Sequence, residues 1–107
     1  MSERPRVRAP KKAMKGEIVE IKTLISHPME SGLLRNAAGQ VVPRKIINRF
    51  TCEFNGRPMF ACDLGTGISA NPFLQFSARF DQSGTIRFTW FDDDGTVIVH
   101  EEKIEVV

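Results

Sequence analysis

Apolar and polar side chains alternate with a period of two residues in one segment of this sequence after another. Segment 17–27 is representative, since four of its β-branched residues share one face: Val19, Ile21, Thr23 and Ile25. Consecutive side chains of a β-strand point to opposite faces, so a period of two predicts strands that bury one face. No segment shows the apolar spacing of a helix. The pattern therefore predicts an all-β protein.

Six segments carry this alternation clearly and a seventh carries it weakly: 17–27, 45–54, 57–64, 73–80, 84–92 and 96–106, with the weaker one at 6–9. Asn55-Gly56 separates two of them, and both residue types tolerate the positive φ angles of a tight hairpin turn. Turn sequences at 82–84 and 93–95 separate the later segments. About seven short strands with such turns are typical of an immunoglobulin-like antiparallel β-sandwich.

The length of 107 residues fits one domain, which we divide into an extended basic arm, 1–15, and a sandwich, 16–107. The arm holds six Lys/Arg and one acid, whereas the remainder holds nine basic and twelve acidic residues. No aromatic residues lie among these cations to stack on bases, so we expect Val7 to pair with an edge strand rather than the arm to bind nucleic acid. No apolar run reaches the ~18 residues of a membrane-spanning helix, so no membrane contact is expected.

Two connections between the predicted strands are long and contain apolar residues: 28–44 and 65–72. Within the first, residues 33–35 are predicted to pair with 40–42 in a small hairpin. Long connections in compact domains are often functional. Their apolar residues form the candidate partner-binding set: Met29, Leu33, Leu34, Val41, Val42 and Ile68. Two interpretations stay open, a cap over one end of the sandwich and a surface that docks another subunit.

Cys52 and Cys62 lie on either side of the predicted hairpin turn. If that turn has two residues, Cys52 pairs with Met59, and Cys62 lies opposite Arg49 on the other face of the sheet. A disulfide needs both Cβ atoms on one side, about 3.8 Å apart, so this register predicts two reduced thiols unless a bulge shifts it. Neither cysteine has an adjacent histidine or a helix N-terminus to activate it, which favours buried packing over reactivity.

The sequence offers no cluster of residues suited to catalysis or to a metal. His27 and His100 are the only histidines and lie far apart, whereas zinc needs three or four grouped ligands. His27 precedes Pro28 and is expected to end a strand, with its ring hydrogen-bonded to loop backbone. The consecutive acids at 92–94 lack the alternate spacing of a calcium loop and are expected to be turn residues. We therefore expect no catalytic residue, no metal and no cofactor.

Five blocks of the sequence together cover most of the chain: RPRVRAPKKAMKGE (4–17), ISHPMESGL (25–33), PRKIINRFTCEFNG (43–56), ANPFLQF (70–76) and FTWFDDDG (88–95). In this order and spacing they resemble the SoxZ family, a subunit of the sulfur-oxidation (Sox) thiosulfate system. The segment 103–107 contains no glycine-rich, cysteine-bearing tail. For that reason the chain resembles the Z subunit rather than its partner, SoxY.

The resemblance implies an immunoglobulin-like, non-catalytic scaffold that forms a heterodimer, or a higher assembly, with a SoxY-type subunit. A cysteine in the glycine-rich C-terminal tail of SoxY carries the sulfur intermediates. The SoxYZ carrier presents them in turn to a c-type Sox cytochrome, a thiol-sulfate hydrolase and a sulfane dehydrogenase. In this interpretation the working thiol belongs to the partner chain.

The residues and the resemblance predict different locations for the protein. The first residues carry positive charge but lack the apolar segment of a secretory signal, which by itself indicates the cytoplasm. Z subunits are taken to reach the periplasm bound to a SoxY that bears the export signal, so the resemblance implies a periplasmic protein. Two alternatives to a scaffold stay open: a stand-alone immunoglobulin-like binding module and a thiol enzyme that uses Cys52 or Cys62.

Overall fold

A computed structural model describes residues 4–107, which form eight β-strands. They are β1 (Pro5–Arg8), β2 (Lys12–Ala13), β3 (Ile18–Ile25), β4 (Ile47–Phe54), β5 (Arg57–Asp63), β6 (Phe73–Arg79), β7 (Gly84–Asp92) and β8 (Val97–Val106). Within this range there is no helix, and therefore none that could span a membrane. Residues 1–3, where the predicted arm begins, lie outside the described residues.

The strands form two sheets that pack face to face. The small sheet has the order β1-β3-β6, and the large sheet has the order β2-β8-β7-β4-β5. Neighbouring strands are antiparallel except β2 and β8, which are parallel. The predicted all-β, immunoglobulin-like sandwich is confirmed. Strand β2 is an addition, because two residues are too few to show a periodic pattern.

Aromatic rings from both sheets fill the centre of the sandwich. Phe50 on β4 is fully buried, and its ring centroid lies 4 to 7 Å from those of four neighbours, as the preferred geometry of aromatic pairs requires. The centroid distances are 5.2 Å to Trp90, 6.1 Å to Phe76, 6.2 Å to Phe60 and 6.3 Å to Phe88. Phe76 belongs to the small sheet and the others to the large sheet. Phe50 therefore joins the two sheets.

The N-terminal arm crosses from the small sheet to the large sheet. In β1, Val7 pairs with Thr23, so the predicted pairing of Val7 is confirmed and β1 becomes an edge strand. After the crossing, β2 lies along the end of β8, where the Val107 N–H donates to the Ala13 carbonyl at 3.0 Å. The Lys15 N–H donates back to the Val107 carbonyl at 3.2 Å. The arm thereby covers the β1–β8 side of the sandwich.

The opposite side of the sandwich is open. Strands β5 and β6 are the last strands of their sheets there, and neither has a further neighbour within residues 4–107. Phe60 on β5 and Phe76 on β6 stack across the gap between the sheets, with centroids 4.5 Å apart and ring planes within 6°. This stacked pair closes the core on the side that the arm does not reach.

The β4–β5 hairpin has the predicted turn but a different register. A bulge after Cys52 leaves Met59 without an opposite residue, so the rest of β5 is shifted by one position. The expected pairs of Cys52 with Met59 and of Cys62 with Arg49 are therefore wrong. The observed pairs are Cys52–Phe60 and Cys62–Phe50.

Both cysteines are free, as predicted, but for a different reason. The bulge brings Cys62 to the same face as Cys52, where its opposite residue lies two positions from Cys52. Diagonal neighbours of this kind are roughly 7–8 Å apart, which is too far for a disulfide. The two thiols thus lie on the same face of the sheet but are offset by two residues in the strand direction, rather than lying on opposite faces.

The two phenylalanines Phe50 and Phe73 test the assignment of the core. Phe50→Ala should lower the free energy of unfolding by about 3–5 kcal/mol, because it removes a buried ring and leaves a cavity. Phe73 is 56% exposed, and Phe73→Ala should change stability by less than about 1 kcal/mol. Urea unfolding followed by Trp90 fluorescence measures both. Equal losses for the two variants would contradict this core.

Candidate partner-binding surface

Three connections gather at one end of the sandwich: 26–46, 64–72 and 93–96. Strands β3, β5 and β7 end there, and β4, β6 and β8 begin there, because the strand pairs between them are antiparallel. We call this region the loop end. No strand covers the core at this point, so the side chains of the connections determine its surface.

The predicted small hairpin is present in the first connection. Arg35 bridges Val41 in antiparallel geometry, and the Val42 N–H donates to the Leu34 carbonyl at 2.8 Å. Asn36 holds the turn, since its side-chain oxygen accepts two backbone N–H bonds, at 2.9 and 3.1 Å. Asparagine side chains that bond to nearby backbone in this way stabilise turns. The hairpin is therefore a locally defined structure.

This hairpin presents three of the six predicted apolar residues to solvent. The exposed fractions are 83% for Leu33, 61% for Leu34 and 51% for Val41, while Val42 is half-buried. Ile68, on the connection 64–72, is 40% exposed. Clustered exposed apolar side chains mark binding surfaces more often than single ones do. The geometry of these residues fits a docking surface better than a cap.

Met29 does not belong to that surface. It is 6% exposed and packs in the core, and its sulfur accepts the Ile47 N–H at 3.3 Å. Its φ is 52°, in the left-handed region that costs a non-glycine residue on the order of 1 kcal/mol. The expectation of an exposed Met29 is wrong, because the segment before the hairpin folds back against the start of β4. This segment caps the sandwich, and the hairpin projects from the cap.

Phe73 and Val97 are exposed apolar residues that the sequence reasoning did not include. They begin β6 and β8 at the loop end and are 56% and 52% exposed. Both lie at outward-facing positions of their strands, where a polar residue is usual. An apolar residue at an outward position beside a long connection is the signal that could have identified them.

A buried carboxylate, Asp92 at the end of β7, anchors the base of the hairpin. Its Oδ2 accepts His27 Nε2 at 2.7 Å and Lys45 Nζ at 2.9 Å, and its side chain has no exposed area. Burial alone raises the pKa of Asp92, but the hydrogen bonds from Lys45 and His27 outweigh it and hold the pKa below its usual value. Asp92 is therefore ionised at neutral pH. Since His27 precedes the hairpin and Lys45 follows it, one carboxylate joins both of its ends.

The contacts of His27 define its neutral tautomer. Nδ1 accepts the Met29 N–H at 2.9 Å, so it carries no proton, and the proton on Nε2 is donated to Asp92. The predicted bond from the ring to loop backbone is confirmed. The second bond, to a carboxylate 65 positions away in sequence, could not be predicted because it depends on the tertiary fold.

Asp93 supplies a second, more exposed attachment. It accepts Arg44 Nε at 2.9 Å, Asn48 Nδ2 at 2.9 Å and the Ile46 N–H at 3.1 Å. The bond from Arg44, followed by that from Asn48, lowers the pKa of Asp93 to about 2. Asp92 and Asp93 thus do more than form the predicted turn, because they fix the strand that follows the hairpin.

Asn71 connects 64–72 to the same anchor. The His27 N–H donates to Asn71 Oδ1 at 2.9 Å, and the Asn71 N–H donates to the His27 carbonyl at 2.7 Å. Asn71 has a φ of 56°, a conformation that asparagine tolerates better than most residues. The connections that carry Leu33 and Ile68 are therefore attached to one residue, His27.

The anchor has structural rather than catalytic geometry. The side chains of His27 and Asp92 have no exposed area, and each nitrogen of the His27 ring already has a partner. Within residues 4–107 no group of three or more His, Cys, Asp or Glu could hold a metal ion. The loop end exposes the apolar side chains of Leu33, Leu34 and Val41 beside polar ones such as Arg35 and Asn36.

Asp93→Asn tests the electrostatic attachment through its pH dependence. A carboxyl group whose folded pKa lies below its unfolded value of about 4 stabilises the fold above that value, and the stabilisation is lost as the pH falls through the folded pKa. For Asp93 the loss should extend from about pH 4 down to about pH 2. We expect Asp93→Asn to be less stable than the unsubstituted chain by about 1 kcal/mol at pH 7, with the difference shrinking below pH 4.

Urea unfolding at several pH values measures this difference. The control is Asp81→Asn, which removes an exposed carboxylate at the other end of the sandwich. Its effect should be smaller at pH 7. A difference between Asp93→Asn and the unsubstituted chain that stays constant down to pH 2 would contradict the assigned contacts.

The fold has relatives among solved structures. Superoxide reductase (neelaredoxin) from Ignicoccus hospitalis has a TM-score of 0.73 at 17% identity, over 96% of this chain and 80% of that one. The sulfur carrier protein SoxY from Chlorobium limicola f thiosulfatophilum has 0.65 at 12% identity, over 96% and 78%. A CARDB domain from Pyrococcus furiosus has 0.64 at 14% identity, over 98% and 94%. At these identities the likeness concerns the fold alone.

A comparison with curated proteins finds no match. A family model described as "Sulphur oxidation protein SoxZ" matches residues 7–103, which is most of the chain. The match includes the hairpin, the anchor residues and both sheets. The resemblance recognised in the sequence is thereby confirmed, and the chain belongs to the SoxZ family of sulphur oxidation proteins.

Proposed function

We propose that this chain is the non-catalytic scaffold subunit of a sulfur carrier complex and that its loop end binds a SoxY-type subunit. The observation that carries the proposal is the apolar hairpin of Leu33, Leu34 and Val41, exposed in the isolated chain and attached at both ends to a buried carboxylate. Family membership supplies the context of sulfur oxidation. In the heterodimer, the sulfur intermediates are carried by the cysteine of the partner.

The hairpin suits a permanent partner because it is held in position before binding. A stable heterodimer buries about 1,600 Å² in total, and binding is tighter when the contact residues lose little freedom. The hydrogen bonds to Asp92 and Asn71 restrict the hairpin and the neighbouring connection in the free chain. The exposed residues Ile68, Phe73 and Val97 enlarge the apolar area at the same end.

The cysteines support a scaffold rather than a thiol enzyme. Burial, followed by the nearby charge of Glu53, raises the pKa of Cys52 to about 12. Burial and the charge of Asp63 also raise the pKa of Cys62, against a smaller opposite effect of Arg49. Thiol chemistry needs the thiolate, which a raised pKa disfavours. Neither cysteine is suited to carry sulfur near neutral pH.

The basic residues of the arm suit transient partners. Arg6 and Arg8 are exposed and alternate along β1, and the exposed Arg4 directly precedes it. On the neighbouring β3, Lys22 forms an ion pair with Glu20 at 3.5 Å, so the three arginines supply the net positive charge of this face. Charges of one sign on an exposed face raise association rates more than they raise affinity. We assign this face to brief encounters with the Sox cytochrome, the thiol-sulfate hydrolase and the sulfane dehydrogenase. With a SoxY-type partner that bears the export signal, the complex would operate in the periplasm.

Co-expression with a SoxY-type subunit tests the proposed heterodimer. Size-exclusion chromatography and native mass spectrometry should detect a stable 1:1 complex in which the cysteine of the partner takes up the sulfur adduct. A chain that stays free beside a correctly folded SoxY-type subunit would contradict the proposal and would favour a stand-alone binding module.

Leu33→Asp tests the assigned surface. Leu33 is 83% exposed, so the variant should unfold at the same urea concentration as the unsubstituted chain, within about 0.5 kcal/mol. Its affinity for the SoxY-type subunit should fall by about tenfold or more, because a charge is introduced into an apolar contact. The matched control is Ile18→Asp, since Ile18 is 63% exposed at the other end of the sandwich. Unchanged binding by Leu33→Asp, or an equal loss in both variants, would exclude the hairpin as the contact.

Iodoacetamide labelling tests the thiol-enzyme alternative. In the native chain at pH 8, Cys52 should react far more slowly than in urea, because its pKa is about 12 and its side chain is buried. Cys62 should also react more slowly in the native chain, to a smaller degree. Mass spectrometry of the labelled peptides measures both rates. Rapid native labelling of either cysteine would favour an enzyme.

A further inference from the structure

Strand β6 has a regular and unprotected edge. Its pairing with β3 runs without a bulge from Phe73 to Arg79. Natural edge strands are commonly protected by proline, lysine or a bulge. The other open edge, β5, has two of these features, because it contains Pro58 and the bulge at Met59. Strand β6 has none of them, which makes it the better template for a further strand.

One hydrogen bond at the beginning of β6 shows which of its residues bond to β3 and which face the open edge. The Ile25 N–H donates to the Pro72 carbonyl at 3.2 Å, so alternate residues from Pro72 onward bond to β3. The residues between them direct their N–H and carbonyl groups to the open edge. These edge-directed residues are Phe73, Gln75, Ser77 and Arg79, and all four are exposed.

Apolar side chains lie directly beneath this edge. Phe76 points into the sandwich and stacks on Phe60, which is itself half-buried. Leu74 on β6 and Cys62 on β5 are also half-buried along the open side. A strand added to β6 would place its own inward residues against this partly covered core.

We propose that β6 pairs antiparallel with β6 of a second copy of this chain, centred on Phe76. The small sheets of the two copies then form one continuous sheet. The proposal does not depend on the heterodimer with SoxY, since it concerns the side of the sandwich and the chain alone. The occupant is a second copy because the β6 sequence complements itself in this register.

The complementarity is visible in the opposed residues. Inside the sandwich, Phe76 meets Phe76 of the second copy and Leu74 meets Ala78, which are apolar contacts. On the outer face, Gln75 meets Ser77 and Phe73 meets Arg79, so the only charged residue of the strand faces an aromatic ring. No like charges oppose each other. Such cross-strand pairs contribute roughly 0.2–1 kcal/mol each.

The directions of the backbone N–H and carbonyl groups along β6 agree with the same register. Antiparallel strands centred on Phe76 place Gln75 opposite Ser77 and Phe73 opposite Arg79, and these are the residues whose backbone groups face the open edge. A register shifted by one position would set an edge-directed residue opposite one that is already bonded to β3. Backbone geometry thus excludes shifts by an odd number of residues, and side-chain complementarity favours the register centred on Phe76 among those that remain.

Sedimentation equilibrium of the chain without SoxY tests the proposal. We expect a monomer–dimer equilibrium, because a single edge contact lies at the small end of interface sizes. Gln75→Lys/Ser77→Lys places lysine opposite lysine twice and should weaken the dimer by about tenfold. Gln40→Lys/Thr66→Lys adds the same charge at the loop end and should leave it unchanged, as should Ala61→Lys on β5. A monomer at all concentrations, or a dimer weakened by Ala61→Lys instead, would overturn the proposal.

A cross-link tests the register directly. In a Cys62→Ser background, Gln75→Cys/Ser77→Cys should form a covalent dimer on mild oxidation, because opposed residues of antiparallel strands lie within disulfide reach. Peptide mapping should find position 75 joined to position 77 between chains. The control, Gln40→Cys/Thr66→Cys in the same background, should stay monomeric on a non-reducing gel. Equal cross-linking of both pairs, or none of the β6 pair in a dimer, would reject this arrangement.

Discussion

The arrangement of the loop end depends on the ionised carboxylate of Asp92. A buried charge is costly unless charged or polar partners surround it, and here Lys45 and the neutral ring of His27 both donate to it. Removing either donor would leave the charge partly unpaired, so the partners must stay in place. Because they flank the hairpin, the electrostatic requirement of one side chain becomes a geometric restraint on seventeen intervening residues, 28–44. The long connection 28–44 is thus held in a defined position.

In the proposed function, the sandwich separates its tasks in space. The loop end is apolar and preorganised, which suits a lasting contact, while β1 presents arginines on the outer face of the small sheet, which suits encounters that must also end. The aromatic cluster around Phe50 joins the two sheets between these regions. In the proposed complex, this rigid body would hold a SoxY-type subunit while other proteins approach from a different direction. The Cys52 thiol is buried and the Cys62 thiol is half-buried, and burial raises the pKa of both.

Strand alternation was sufficient for seven of the eight described strands, because burial of one face is a local property that repeats along the chain. It could not predict the bulge beside Cys52, since an extra residue is visible only in the pairing of two strands. The excess of apolar residues in 28–44 predicted a cap or a docking surface without deciding between them, and the fold divides the two: Leu33 and Val41 are exposed, whereas Met29 packs against β4. The bond between His27 and Asp92 joins residues whose proximity exists only in the finished fold. Tertiary partners are therefore what sequence patterns omit.

The parallel pairing of β2 with β8 has a consequence for the order of folding. Lys12 and Ala13 are among the first described residues to leave the ribosome, yet their partners, Glu105 and Val106, are among the last. Closing so long a loop is slow compared with forming a hairpin. Strand β2 can therefore pair only after β8 has been made, and until then the end of β8 stays uncovered. During synthesis the nascent chain exposes both flanks of its core, and completion of the last strand seals one of them.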